Sequence, residues 1–452
     1  MRELMAILVA VVVVAGIPQG AAGETASEKR LRRLEETLRR QQEEIQQLRQ
    51  ELKQQNAIGQ AAQRQTEEKL EAQEKKVEAV KAEAPKPGQV AIHGHYAAGK
   101  GLTFETDDKR FELSIYNRIQ GRYTFTDQDD PEKDDTSTFR VRRMKTVFEG
   151  HAFYPSLNYK IQVNWPGKPE LEDAFLHWKP QPYFGVQGGQ YKVPFNRQQL
   201  TSSGVLQFVD RPITDDFFAF QRDTGVTLTG NWFGAQHDLV EWNAGVFNGN
   251  GFNKSNNENS DHLGVARLLY MPLGKFDYYV ESDVNDTPSP RFGIGGAGAY
   301  NSQADSTATE KARVFDAGRL GSFFAKDIKG RFDVAQATVD AHLKYRGLSV
   351  LGDYHWAEAD PNAGLSKSAQ GYNCQAGYFI LPKRLEAAFR YASIDREVGG
   401  ERGLREMGGA LGYFFLAHSL KIQADVRSLA EERSGKTDLD TMEYRAQVQA
   451  IF

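Results

Sequence analysis

The sequence predicts an all-β fold: a transmembrane antiparallel β-barrel of 16 strands, preceded by an N-terminal α-helical coiled coil in the periplasm. Three observations predict it. The final stretch, Met442 to Phe452, alternates: Met442, Tyr444, Ala446, Val448, Ala450 and Phe452 share one strand face, and Glu443, Arg445, Gln447 and Gln449 the other. One face suits lipid and the other water, as in an outer-membrane barrel. Strand-like segments are joined by connections that alternate between tight and long. Near the start, apolar residues recur instead with heptad spacing.

In chain order, Arg2 precedes an apolar run over 4–17, and Ala21, Ala22 and Gly23 supply a cleavage site, so 1–23 reads as a signal peptide. The run is shorter than the ~20 residues of a spanning helix. Residues 27–84 are rich in Glu, Gln, Lys, Arg and Ala, with Leu31, Leu34, Leu38, Ile45, Leu48 and Leu52 on a heptad seam. Gly59 interrupts it, and Leu70, Val77 and Val80 resume with a shift of frame. Pro85-Lys86-Pro87-Gly88 ends the helix and opens a linker and barrel entry over 85–110.

The barrel occupies 111–452. Strands are expected at 111–126, 138–154, 156–165, 171–179, 183–192, 222–232, 237–247 and 262–271. The second half continues at 291–301, 332–345, 348–357, 370–380, 384–394, 405–415, 420–427 and 441–452. Tight connections, such as Pro155, Arg346-Gly347 and Ala417-His418, alternate with long polar ones at 127–135, 248–261 and 302–331. Short periplasmic turns opposite long external loops define an outer-membrane barrel. Residues 276–283 look strand-like but would make the count odd, so 272–290 is assigned to a periplasmic excursion. An 18-strand reading, with a further strand at 313–324, competes with this assignment.

Composition narrows the function. One cysteine, Cys374, allows no internal disulfide, haem-attachment motif or cysteine-based zinc site. A net charge of −4, spread along the chain, gives no support to nucleic-acid binding. A mean hydropathy of −0.57 excludes a helical membrane bundle. No nucleotide, zinc-protease or other cofactor motif is present, and His93-Gly94-His95 makes an incomplete metal site on a linker.

Alternation places Arg118, Arg122 and Lys160 on polar, lumen-facing strand faces. In Phe139-Arg140-Val141-Arg142-Arg143-Met144-Lys145 it favours Arg143 and Lys145 for the lumen, leaving Arg140 and Arg142 near the rim or beside a bulge. The connection at 193–221 carries Arg197, Arg211, Asp210, Asp215 and Asp216 and ends in Phe217-Phe218-Ala219-Phe220. Those aromatic residues predict that it folds into the barrel and narrows it. Arg222 and Lys192 flank it. Clustered lumen cations bias a channel toward anions.

Several motifs carry a resemblance. Phe139-Arg140-Val141-Arg142-Arg143, Leu171-Glu172-Asp173-Ala174-Phe175, Gly188-Gly189-Gln190-Tyr191-Lys192-Val193-Pro194-Phe195 and Gln199-Leu200-Thr201-Ser202-Ser203 follow one another in order. Phe208-Val209-Asp210-Arg211, Arg222-Asp223-Thr224-Gly225-Val226 and Gly245-Val246-Phe247-Asn248-Gly249 continue the series. Over 111–452 the chain resembles the phosphate-selective porin O and P family. The resemblance implies a 16-stranded homotrimeric porin in the outer membrane, with a third loop lining the constriction and basic residues conducting anions. The expected channel therefore passes small inorganic anions, phosphate among them, through Arg118, Arg122, Arg143, Lys145, Lys160, Lys192, Arg197, Arg211 and Arg222. Mixed charge in the second half, such as Glu386 with Arg384 and Arg390, argues against strict phosphate selectivity. The alternative is a general small-solute porin whose coiled coil also contacts the cell wall. An enzyme is disfavoured, because the histidines are scattered singly.

Overall fold

The computed structural model describes residues 90–452, apart from 131–132, 234–237, 255, 258–259, 306–319, 321–323, 325–330, 362–363, 399–400 and 434–437; before residue 90 it describes only isolated helical positions. The expected signal peptide and coiled coil, and the Gly234-Ala235 turn, lie outside the described residues. The chain divides at Gln89 into two units, of which the second, Val90–Phe452, carries the sheet.

A short hairpin comes first, β1 (Ile92–Ala97) and β2 (Gly101–Thr106). Next come β3 (Phe111–Gln128), β4 (Thr136–Ala152), β5 (Tyr154–Asn164), β6 (Glu170–Gln181), β7 (Phe184–Lys192), β8 (Arg222–Trp232), β9 (Val240–Phe247) and β10 (Leu263–Tyr270). The second half comprises β11 (Arg291–Asp305), β12 (Arg331–Tyr345), β13 (Leu348–Pro361), β14 (Lys367–Leu381) and β15 (Leu385–Val398). It closes with β16 (Glu401–Leu416), β17 (Leu420–Arg433) and β18 (Leu439–Ile451). Each of β3 to β18 pairs antiparallel with its sequence neighbours, and β18 pairs back onto β3. The sheet is a closed 16-stranded barrel. Leu320 and Phe324, the described residues of the competing 313–324 strand, are helical.

Closure removes the sheet edge that an open structure would expose. Asn117 and Phe452 exchange backbone bonds of 2.7 and 3.0 Å at the seam. The tight turns sit at one end of the barrel. Arg346 and Gly347, both at positive φ (47° and 78°), give the two-residue turn whose twist matches its flanking strands. The long connections between successive strands sit at the other end, except β10–β11, which leaves from the short-turn end.

Alternation sorts the faces. On β14, Ala369, Asn373 and Gln375 are buried inside, while Tyr372, Tyr378 and Ile380 are exposed outside. Phe153, Tyr154, Trp178, Tyr183, Trp232, Tyr378 and Phe452 ring the short-turn end of that outer face; Phe139, Trp165, Tyr300, Tyr372 and Tyr444 lie toward the long-loop end. Such paired aromatic girdles bound the apolar band of a membrane barrel. No described helix is long and apolar enough to cross a membrane.

Two connections fold inward. The β7–β8 connection (193–221) contains α1 (Arg197–Leu200) and α2 (Ile213–Phe218). The side chain of Asn196 caps α1 by accepting from Gln199 N at 3.3 Å. Phe195, Phe217, Phe218 and Phe220 are buried with Phe247, Leu263, Phe332 and Ile394, which fixes this loop inside the barrel. The β10–β11 connection, expected as a periplasmic excursion, instead turns into the lumen. Tyr278, Glu281, Ser282 and Asp283 are buried, and Glu281 N bonds Val205 O at 3.2 Å. Its strand-like alternation reflects an amphipathic segment packed on side chains rather than paired in the sheet.

Candidate functional site

The inward loop divides the lumen unequally. Toward β15–β17 it is hydrogen-bonded to the wall: Val209 N donates to Asp425 (2.9 Å), Ile213 N to Glu406 (2.8 Å), and Lys421 to Leu206 O (2.9 Å). Gln423 donates to Gln207 O (2.7 Å) and Arg390 to Asp210 O (3.0 Å). Gln207 N is held from below by Glu281 at 2.8 Å. Toward β3–β8 an open polar cavity of about 500 Å³ remains.

Eight basic residues border that cavity: Arg118, Arg142, Arg143, Lys145, Lys160, Lys192, Arg211 and Arg222. Six acidic residues face them, Glu170, Glu172, Asp173, Asp210, Asp215 and Asp216, leaving a formal excess of two positive charges. Seven of the nine residues expected from sequence border the cavity, and two do not. Arg122 clasps the loop, donating to Asp210 and to Val209 O, both at 2.8 Å. Arg197 points away, to Tyr278 O (2.8 Å) and His342 (2.9 Å).

Most of the cations have carboxylate partners. Lys145 pairs with Glu172 and Arg222 with Asp173. Lys160 pairs with Glu149 at 2.8 Å. Asp210 accepts from Arg122 (2.8 Å), Arg143 (2.9 Å) and Arg142 (3.5 Å). Burial alone would raise the Asp210 carboxyl, but these three guanidinium groups hold it well below its ordinary value.

Three cations differ. Arg118 bonds the Ser202 hydroxyl at 2.8 Å, and Lys192 bonds the Leu200 and Thr201 carbonyls at 3.3 and 3.2 Å. Arg211 bonds Thr201 O (2.6 Å) and Gln198 O (2.7 Å), with Asp215 farther off at 3.6 Å. All three therefore converge on the stretch just after α1 and rest mainly on neutral acceptors. Burial, reinforced by Asp216, pushes Asp215 up to about 6 against the opposing pull of Arg211, so this counter-charge is lost only in mild acid.

Two bulges shape the lining. Gln120 pairs with Arg143 and Gly121 with Val141, so Arg142 is an extra residue and turns inward beside Arg143. Gln162 pairs with Asp173 and Val163 with Leu171, so Glu172 is likewise extra and turns inward beside Asp173. Sequence alternation anticipated a bulge near Arg142 but gave no sign of the one at Glu172. The acidic lining and the Ser202 and Ser203 contacts were also missed as site residues; the adjacent charges Glu172 and Asp173 within one strand are a signal that could have found the β6 acids.

No group of His, Cys, Asp or Glu suited to a metal is formed among the described residues. The sequence profile of the phosphate-selective porin O and P family matches residues 113–452. Among solved structures, an anion-selective porin from Comamonas acidovorans aligns with a TM-score of 0.53 at 10% identity, covering 75% of this chain and 99% of that one. The outer membrane channel DcaP of Acinetobacter baumannii aligns with a TM-score of 0.50 at 9% identity, covering 75% and 97% respectively. At such identities these likenesses speak for the fold. No curated protein matches the chain.

Proposed function

The chain belongs to the phosphate-selective porin O and P family, and from that premise we propose that it conducts small inorganic anions through the cavity beside its inward loop. The single observation that carries this reading is the convergence of Arg118, Lys192 and Arg211 on neutral acceptors after α1. A cation bonded mainly to neutral acceptors lowers the barrier for an anion in a narrow, partly desolvated passage, and a guanidinium fork can take two anion oxygens at once. The remaining cations act less strongly, because Glu172, Asp173 and Asp210 cancel much of their field.

The carboxylates also bear on phosphate. A multiply charged anion gains most from adjacent cations and loses most to adjacent acids. Phosphate is therefore read as one permeant anion among several. Titrating inorganic phosphate into chloride-conducting single channels tests this: chloride current should persist until phosphate is comparable in concentration. Block at far lower phosphate would replace the reading with a phosphate-selective one, and a lack of conductance would remove it.

Assembly as a homotrimer in the outer membrane belongs to the same proposal and is supported by family membership. Native mass measurement of detergent-extracted protein should give three copies; monomers alone would contradict it.

A further inference from the structure

The β1–β2 hairpin lies outside the 16-strand circuit. Closing the barrel leaves β18 ending opposite Asn117, so the first residues of β3 run on unpaired by it. β2 takes that place, pairing Leu102 with Ile115 and Phe104 with Leu113, and β1 pairs onto β2 in turn. The hairpin is built into this position. Gly101, at φ +69°, lies where a Cβ would meet Ile115 O at 2.1 Å, and a Cβ on Gly99 would meet Ser419 Oγ at 2.4 Å.

Its two faces differ. Ile92, Tyr96, Leu102 and Phe104 share one face and are 67%, 60%, 50% and 37% exposed. His93, His95, Thr103 and Glu105 share the other. Because Leu102 and Phe104 are register partners of Ile115 and Leu113, the apolar face continues the outer face of β3, beside the exposed rings of Phe111 and Phe452. Four large apolar side chains held in water at such exposure are unfavourable, and burial in lipid would relieve that cost.

We propose that this face is a lipid-docking surface: the hairpin extends the barrel's apolar belt into the membrane interface at the short-turn end, with its histidine face toward water. Continuity with the belt selects lipid as the occupant, and the inference rests on that belt being lipid-facing.

The test uses full-length protein in phospholipid vesicles, with Cys374→Ser as background and spin labels on Tyr96→Cys, Leu102→Cys and His95→Cys. A label on Val448→Cys reports the belt itself. Tyr96 and Leu102 labels should collide more with oxygen than with a water-soluble nickel chelate, as the Val448 label does, and the His95 label should show the reverse. If the chelate dominates at Tyr96 and Leu102 while Val448 remains lipid-exposed, the hairpin surface is not a lipid surface. Protection from both reagents, as under a second copy, also overturns the proposal. Failure at Val448 would instead overturn the reading of the belt. Unmutated protein supplies a second measurement: a lipid-confined carbene reagent should label the tryptic peptide ending at Lys100, and absence of label there alongside labelled belt peptides contradicts the proposal.

Discussion

The two walls that face the inward loop use the same residue types to opposite ends. On β15–β17, charged side chains are bonded to the loop's own backbone: Asp425 and Glu406 accept from Val209 N and Ile213 N, and Lys421 and Arg390 donate to Leu206 O and Asp210 O. On β3–β8, Arg122 and Lys192 also hold loop carbonyls, but Arg118, Lys192 and the loop's own Arg211 border an open cavity as well. A lumen charge therefore means anchoring alone or anchoring with conduction according to whether it also borders open space. Burial makes the anchoring charges costly to unpair, because a carboxylate removed from such a site strands the donors it served.

The largest effect is expected where that anchoring is broken. Asp425→Ala with Glu406→Ala leaves two loop amides, and the guanidinium groups of Arg445 and Arg390, without their carboxylates. Each such loss costs about 3 kcal/mol. The loop should detach from that wall, and single-channel conductance should rise with added gating noise. An unchanged, quiet conductance would show that the apolar cluster around Phe217 and Phe218 holds the loop without them.

A smaller change is expected from Asp210→Asn, which removes the carboxylate shared by Arg122, Arg142 and Arg143. The cavity gains one positive charge, so the reversal potential in a salt gradient should move further toward the anion limit. Movement toward cations would mean that Asp210 matters for holding the loop rather than for the field.

Acid should act in the same direction and more weakly. Asp215 borders the cavity with its carboxyl pushed up to about 6 by burial. As pH falls through that value the group takes up a proton, one negative charge disappears, and anion preference should rise. Above it the charge is restored and the preference falls back. Measuring ion selectivity between pH 5 and 7 in wild type and Asp215→Asn checks this; a step that survives the substitution assigns it to another group. The smallest effect belongs to Lys160→Gln. Its pair with Glu149 is partly exposed, and pairs of that kind contribute about 0–1 kcal/mol. Selectivity should move less than in the other variants, measured under the same gradient.

Much of this architecture was legible in the sequence for a simple reason: the strand period of two writes the lipid and water faces directly into the residue order. All 16 expected strands match observed ones, from 111–126 against β3 to 441–452 against β18. What escaped was whatever breaks the period. The bulge at Glu172 rotates an acid inward that alternation assigns outward, and the turn around Tyr278 imitates a strand while packing as an inward strut. The partners of a lumen charge are set by a loop dozens of residues away, as Arg118 on Ser202 and Arg197 on Tyr278 illustrate. Alternation reports which way a side chain points but not what stands opposite.

The most direct test of the difference between the walls is the reversal potential of a potassium chloride gradient across a bilayer holding wild-type channels, compared with the variant Arg118→Gln, Lys192→Gln, Arg211→Gln. Wild type should be anion-selective, and the triple variant, with its paired cations intact, should lose most of that anion preference. A cation-selective wild type, or a triple variant indistinguishable from it, would contradict the assignment of conduction to the β3–β8 cavity.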